Sequence, residues 1–369
     1  MKAFFVFFPY LVLFLVLLTF VRLVSERPFV RMAWTAVLFA CASKFLVFEA
    51  FGGDAFTPEL PERLIWFLNW TYSGLMVLAA LSTVAWLVGV RGSCMLLVAA
   101  LSWGVAAVGV YNGLKVPEVK EVVLAYDDLP EGLDGYRIVQ ISDLHVSAAA
   151  RKWRTKAIVE RTNDIGADLV VCTGDIVDGS PERQGSDVEP LGELEAQDGV
   201  YFVTGNHELY HDFPSWRRLY DSWGLTFVED RCVFPHKGLA LAGLSESSYI
   251  FSDEGRISNA DSLFSDATNG EFRVLLQHRP SAARANFDVS KCNLQLSGHT
   301  HGGVMPLLDK LVAKHNKGFC RGVYPLGDSG LLHVSPGTGQ WAGFPVRFFN
   351  DPEITVIRLV RRGTVSKSP

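Results

Sequence analysis

Three stretches of this chain contain no charged side chain: residues 3–21, 64–90 and 92–114. No other feature limits the fold as strongly. A helix needs about 20 apolar residues to cross the hydrocarbon core of a bilayer, and inside that core its backbone groups must be paired internally. All three runs are expected to be membrane helices. A fourth is expected over 30–50, with Lys44 inside the run and Arg31 and Glu49 near its ends. There Lys44 is tolerated only if its long stem carries the ammonium to an interface. Trp34, Trp66, Trp70, Trp86 and Trp103 supply the aromatic content of such segments. A cleaved signal peptide over residues 1–24 fits poorly, because the apolar run is long, only Lys2 precedes it and no small-residue cleavage site follows.

Charge then divides the chain. Residues 1–114 hold 7 of the 34 Lys+Arg and 5 of the 39 Asp+Glu, which leaves a net −7 on residues 115–369. Tight binding of long nucleic acids is not expected of so acidic a region. A hydrophobic content of 49% excludes a disordered chain. Six cysteines are too few for a disulfide scaffold, and none lie in a CxxC pair that would bind zinc. Residues 1–114 are therefore expected to be a helical anchor and 115–369 a separate domain, entered through a linker at 115–121.

Beyond that linker, short β-rich runs alternate with polar helical stretches, the pattern of a layered α/β domain. Strands are expected at 136–142, 168–173, 200–204, 272–277, 293–297, 331–335 and 354–360. Helices are expected at 151–164, about 187–197 after Pro190, 214–223 from Pro214, and 281–287. Five of these strands end in chemistry: Asp143-Leu144-His145, then Gly174-Asp175, Gly205-Asn206-His207-Glu208, His278, and Gly298-His299-Thr300-His301-Gly302-Gly303. Sites of open α/β sheets lie at the carboxyl ends of strands. Carboxylate, amide oxygen and imidazole without thiolate suit hard to borderline divalent ions rather than a closed structural zinc site. Each fragment alone has an ordinary reading, as a capped turn or a surface histidine. Five in order, taking in five of the nine histidines, do not.

The ordered set "SDLH", "GDIVDG", "VTGNHE", His278, "LSGHTHGG" and "SPGTGQWAGFPVRF" resembles the calcineurin-like metallophosphoesterase superfamily, in its membrane-associated bacterial branch, over residues 119–361. The resemblance implies a four-layer α/β/β/α sandwich, here preceded by about four transmembrane helices, around two divalent metal ions (Mn, Fe or Zn). It implies that Asp143, His145, Asp175 and His301 hold one ion. Asp175, Asn206, His278 and His299 would hold the other, with Asp175 bridging. It further implies a bridging hydroxide that attacks a phosphoester, with His207 beside the ions as proton donor to the leaving group. The chain departs from the branch at Val304, where a polar residue is usual, and at Arg279, where an acidic or small one is.

Several residues are expected to play plainer parts. Glu208 is read as a first-turn acid of a helix and Asp178 as ordering the turn after Asp175. Arg279 is read either as a phosphate ligand or as a surface arginine at a helix start. His211 is read as a solvated loop residue, and His236, His315 and His333 as structural or exposed. A cleft held beside a bilayer meets lipid head groups, so a lipid-linked phosphate or pyrophosphate is one expected substrate class. The alternatives are a nucleotidase or nuclease on the same centre, and a non-catalytic metal-binding membrane protein. With four spans, Arg22, Arg27, Arg31 and Arg91 share one face. Lys2, Arg63, Lys115 and Lys120 flank the opposite face, a near tie in the positive-inside count that the arginine cluster of the first loop tips. The arginine face is therefore expected to be cytoplasmic, and the catalytic domain of this multi-pass cell-membrane protein outside the cytoplasm. An odd number of spans reverses the assignment.

Overall fold

The computed structural model describes residues 2–246, 262–281 and 291–363. They form two compact units: Met1–Lys115 with Ser147–Ala149 and Trp341–Phe348, and the remainder from Val116.

The first unit is helical. Helix α1, Lys2–Val16, runs through a π-helical turn, Leu17–Val21, into Arg22–Val24. Helices α2, Pro28–Ala42, and α3, Lys44–Phe51, meet at a bend of 56°. Helices α4, Glu62–Leu87, and α5, Cys94–Leu114, pack against each other. Gly74 permits that packing, since a Cβ there would lie 2.6 Å from the Trp103 ring. Among the described residues, three helices are long and apolar enough to cross a membrane, and the bent pair makes a fourth if it forms one span.

Lys44 departs from expectation. It does not snorkel to an interface but is wholly buried at the bend. Its ammonium donates to the Ala342 carbonyl at 3.0 Å and lies 4.5, 5.3 and 4.8 Å from the ring centroids of Phe45, Phe48 and Tyr72. Cation–π contacts of this kind strengthen when desolvated, so the charge finds its partners inside the unit. The segments Ser147–Ala149 and Trp341–Phe348 join the same packing. Trp66 Nε1 donates to the Ala149 carbonyl at 2.8 Å, and the Arg347 amide donates to the Gly109 carbonyl at 2.9 Å.

The second unit is built on two mixed six-stranded sheets. One has the order β1-β12-β2-β3-β4-β5: Glu118–Tyr126, Glu353–Arg361, Arg137–Ile141, Leu169–Cys172, Val200–Phe202 and Thr226–Phe227. The other has the order β10-β11-β9-β8-β7-β6: Gly322–Leu326, Gly330–Val334, Leu294–Ser297, Phe272–Leu276, Leu239–Gly243 and Arg231–His236. Alternation explains the stacking. Ile138, Leu169 and Val171 of the first sheet bury against Leu241, Val274, Leu276 and Leu296 of the second, because successive strand residues point to opposite faces. The opposite face of the first sheet, with Val139, Val170 and Cys172, is covered by Ile158 and Val159 of helix α6, Lys152–Asn163, and by Trp216 and Tyr220 of helix α8, Phe213–Ser222. Leu275, Leu332 and Val334 on the outer face of the second sheet meet Leu263, Phe264 and Phe319. The helix expected at 281–287 lies outside the described residues beyond Ser281.

Two expectations need correction. The stretch read as a linker at 115–121 is mostly strand: β1 pairs in parallel with β12 from Glu118↔Glu353 to Tyr126↔Arg361. It is an edge strand with exposed charged residues, a sheet edge guarded by charge, and that polarity hid it. The helix expected at about 187–197 lies earlier. Helix α7 is Pro181–Val188, followed by a 3₁₀ turn, Glu189–Glu193. Proline at a first helical position is favoured and inside a helix is not, so Pro181 starts the α-helix and Pro190 ends it.

Candidate metal centre

Every residue singled out at a strand end lies at the same edge of the two sheets. Strand β2 delivers Asp143 and His145, β3 delivers Asp175 and Asp178, and β4 delivers Asn206 and His207. From the second sheet, β8 delivers His278, and β9 delivers His299 and His301. The turns that aim them are strained. Asp143, His145, Asp175, His299 and His301 all have positive φ, between 45° and 71°, a conformation that non-glycine residues hold only where surrounding structure enforces it. Glycine is required beside them for a second reason, close approach. A Cβ on Gly205 would lie 2.2 Å from Asp175 Oδ1, and one on Gly298 would lie 2.2 Å from Asp143 Oδ2.

The side-chain atoms converge in two groups, Asp143, His145 and His301, and Asp175, His278 and His299, each with its nitrogen and oxygen atoms within 4.8 Å. His145 Nε2 faces His301 Nε2 at 3.0 Å, and His278 Nε2 faces His299 Nδ1 at 3.2 Å. Asp175 Oδ2 lies between the groups, 3.2 Å from His278 Nε2 and 3.7 Å from His145 Nε2. Asn206 Oδ1 is buried and accepts no hydrogen bond from the described residues. A buried amide oxygen left in that state costs about 1–3 kcal/mol. Paired imidazole nitrogens and an orphaned oxygen around carboxylates are what a cation site needs, so the residues present fit divalent ions.

A surrounding layer of hydrogen bonds sets these side chains. His145 Nδ1 and His207 Nδ1 lie 3.0 and 2.5 Å from the two oxygens of Asp178. Asp178 therefore does more than order a turn: it orients a candidate ligand and the candidate proton donor at once. The spacing Gly-Asp-x-x-Asp returns a second carboxylate to the same loop, but nothing in it names the two histidines. His278 Nδ1 donates to the Thr173 carbonyl at 2.8 Å, which directs Nε2 inward. Glu208 is not a simple helix-start acid. Wholly buried, it accepts from the amides of Asp175 and Gly205 at 3.0 and 2.6 Å on one oxygen and from Ile176 at 2.6 Å on the other. Arg279 is half-buried rather than a surface residue. Its guanidinium pairs with Glu246 and lies 3.1 Å from His299 Nε2, which leaves His299 Nδ1 facing the centre. His211 stands with Asp178 and His207 in a third close group, so it belongs to the cleft rather than to an open loop.

Electrostatics follow from this crowding. Burial opposes ionisation of Asp175, but the His278, His207 and His145 imidazoles outweigh it and hold the carboxyl well below the usual carboxylate range. Asp178 is lowered in the same way, against burial, by His145 and His207. Burial works against protonated His207, yet Asp175 and Asp178 raise it to about 9. Burial and the neighbouring Asp175 charge push Glu208 up to about 7. His299 is lowered by burial and by the His278 and Arg279 cations.

Comparison with known proteins agrees with this geometry. The family model described as "Calcineurin-like phosphoesterase" matches residues 136–303. A Danio rerio "Transmembrane protein with metallophosphoesterase domain" is 32% identical over 69% of this chain and 60% of its own length. An "Uncharacterized metallophosphoesterase" of Helicobacter pylori is 31% identical over 68% of this chain and 66% of its own. "Uncharacterized metallophosphoesterase YkuE" of Bacillus subtilis is 31% identical over 66% of this chain and 85% of its own. The bacterial relatives fit the branch expected from the motifs, and the Danio rerio protein shows that the likeness extends beyond bacteria. The alignment spans about three fifths of the first of these relatives, the family model takes in all seven candidate ligands, and the chain belongs to the calcineurin-like phosphoesterase family.

Proposed function

We propose that the chain is a membrane-anchored phosphoester hydrolase in which residues 1–114 span the bilayer and residues 115–369 catalyse. The observation that carries this reading is the convergence of six Asp and His donors from four strand ends, with the buried Asn206 oxygen at a fifth left without a hydrogen bond among the described residues. Asp143, His145, Asp175 and His301 would hold one divalent ion, and Asp175, Asn206, His278 and His299 the other. Two such ions, when bound, supply a water acidic enough to attack phosphorus near neutral pH and a clamp on the phosphoryl oxygens. Asp175, whose Oδ2 lies within 3.7 Å of a histidine from each group, would be the shared ligand. His207, with Nδ1 fixed by Asp178, presents its other ring nitrogen to the cleft and gives a proton to the departing alkoxide.

The substrate class proposed is a lipid-linked phosphate or pyrophosphate, because a centre tethered to membrane spans meets head groups at high local concentration. The three apolar helices and the bent pair support a multi-pass anchor, and the arginine-rich loops at Arg22–Arg31 and Arg91 favour a catalytic domain outside the cytoplasm. A substrate panel on the purified full chain tests the reading: phosphomonoesters, phosphodiesters and lipid pyrophosphates, each with Mn, Fe or Zn after chelation. Turnover of lipid-linked substrates above the soluble esters supports it. Absence of hydrolysis with every metal would contradict it.

A further inference from the structure

Immediately after the His301–Gly303 turn the chain forms helix α9, Leu308–His315, which has no buried residue. Leu308, Leu311, Val312 and His315 share one side of it, and Lys310 and Lys314 share the other. Leu311 is 52% exposed, and Leu307, just before the helix, is 77% exposed. Leu307 is also held at φ 75° and ψ −39°, a positive-φ conformation unfavourable for a residue with a Cβ. Phe349 repeats the combination, 90% exposed at φ 58°. Both segments are fastened to the same turn: Asn350 Nδ2 donates to the His301 carbonyl at 2.9 Å, and a Cβ on Gly303 would meet Asp309 Cα at 2.3 Å. Backbone strain is thus used at two places to hold large apolar side chains in water, on a turn that carries a candidate ligand.

Charge identifies the occupant. Residues 305–321 contain Lys310, Lys314, Lys317 and Arg321 against a single acid, Asp309, within a region whose net charge is −7. Lys310 and Lys314 are exposed and make no ion pair among the described residues. Exposed leucine and phenylalanine flanked by lysine match the interfacial layer of an anionic bilayer, with apolar side chains at the acyl boundary and ammonium groups among the head groups. Only three residues, Lys115–Pro117, separate the last apolar helix from β1.

We infer that Leu307, helix α9 and Phe349 form a docking surface for anionic phospholipid. The inference rests on the membrane-anchored reading above and adds that the catalytic unit itself touches the head-group layer beside its metal centre.

The test is amide hydrogen exchange on the full chain in nanodiscs of phosphatidylcholine alone, of phosphatidylcholine with phosphatidylglycerol, and in detergent. Exchange over 305–317 is expected to slow by about tenfold with phosphatidylglycerol relative to detergent. Lys310→Gln/Lys314→Gln should remove the phosphatidylglycerol-dependent part of that slowing. Leu307→Ser/Leu311→Ser should reduce protection in both lipids. These surface variants should leave turnover of a soluble aryl phosphate unchanged. Equal exchange over 305–317 in all three environments, with Glu62–Leu87 and Cys94–Leu114 protected, overturns the docking surface while leaving the anchor intact. Free exchange in those two helices in lipid overturns the anchored reading and this inference together. Protection that persists in the lysine variants removes anionic lipid as the occupant.

Discussion

The two sheets of the second unit bring different chemistry to one edge. The first supplies oxygen: Asp143, Asp175 and Asn206, with His145 as its one imidazole among the proposed ligands. The second supplies nitrogen alone, in His278, His299 and His301. Neither set makes a balanced site for a divalent ion, so the centre exists only where the sheets are held together. Their seam is correspondingly specific near the site. The His299 amide donates to Asp143 at 2.9 Å, His278 to the Thr173 carbonyl at 2.8 Å, and Gln140 Nε2 to the Ser297 carbonyl at 3.0 Å. His333 Nδ1 lies 2.7 Å from Gln140 Oε1. Away from that edge the same interface is aliphatic. Burial drives the sheets together, and these directional bonds fix how they meet.

Asp175 is the residue that breaks the division between the sheets most severely, since it reaches histidines of both. Asp175→Asn should lower kcat by more than the 10–100-fold typical of a residue that only supports a ligand, and by more than His299→Ala. Turnover of the two variants at saturating metal checks the order. An active Asp175→Asn carrying its full metal complement would count against a shared ligand.

His207 belongs to the first sheet but is proposed to hold no metal. His207→Ala should cost about 10²-fold or more on alkyl phosphoesters and much less on nitrophenyl esters, whose leaving group needs little proton help. Metal content should be nearly normal. Equal losses on the two substrates would assign His207 a positioning role instead.

Asp178→Asn removes the carboxylate that orients both His145 and His207, and should cost about 10–100-fold in activity or metal affinity. If Asp178 acts through both histidines, Asp178→Asn/His207→Ala should still lose more metal than His207→Ala alone. A metal titration by calorimetry separates the two contributions.

The smallest effect lies in the seam. Burial lowers His333 to about 4, only weakly opposed by Glu353, so between pH 6.5 and 4 the unfolded chain binds the proton that the folded chain refuses. Stability contributed by this group is complete above about pH 6.5 and is lost as pH falls towards 4, by about 3 kcal/mol in all. His333→Gln should flatten that part of the pH–stability curve. Denaturant titrations of both proteins across this range check it, and parallel curves would remove His333 from the account.

The same contrast explains what was legible in the sequence. Asp143, Asp175, Asn206 and the histidines were readable because their side-chain types are rare together and each follows an apolar strand. The orienting layer was not. Asp178 looked like a turn former because its partners His145 and His207 lie 33 and 29 residues away. Glu208 looked like a helix-start acid because its role is to satisfy backbone amides, which leave no mark in the sequence. Strand β1 was hidden for the opposite reason: it pairs with the far end of the chain, and its first residues face water, so no apolar pattern marks it. In the helical unit, uncharged runs revealed the long apolar helices at once, but the burial of Lys44 depended on a carbonyl 298 residues away and on rings from two helices.

The central claim is that the two sheets jointly hold two cations on seven side chains. Metal stoichiometry of the purified full chain, measured by elemental analysis after equilibration with a single divalent metal, tests it most directly, with Asn206→Leu and His299→Ala measured beside the wild type. The account predicts two ions per chain in the wild type and about one in each variant, retained on Asp143, His145, Asp175 and His301. A wild type that hydrolyses phosphoesters with one ion per chain, or variants that keep two, would contradict it.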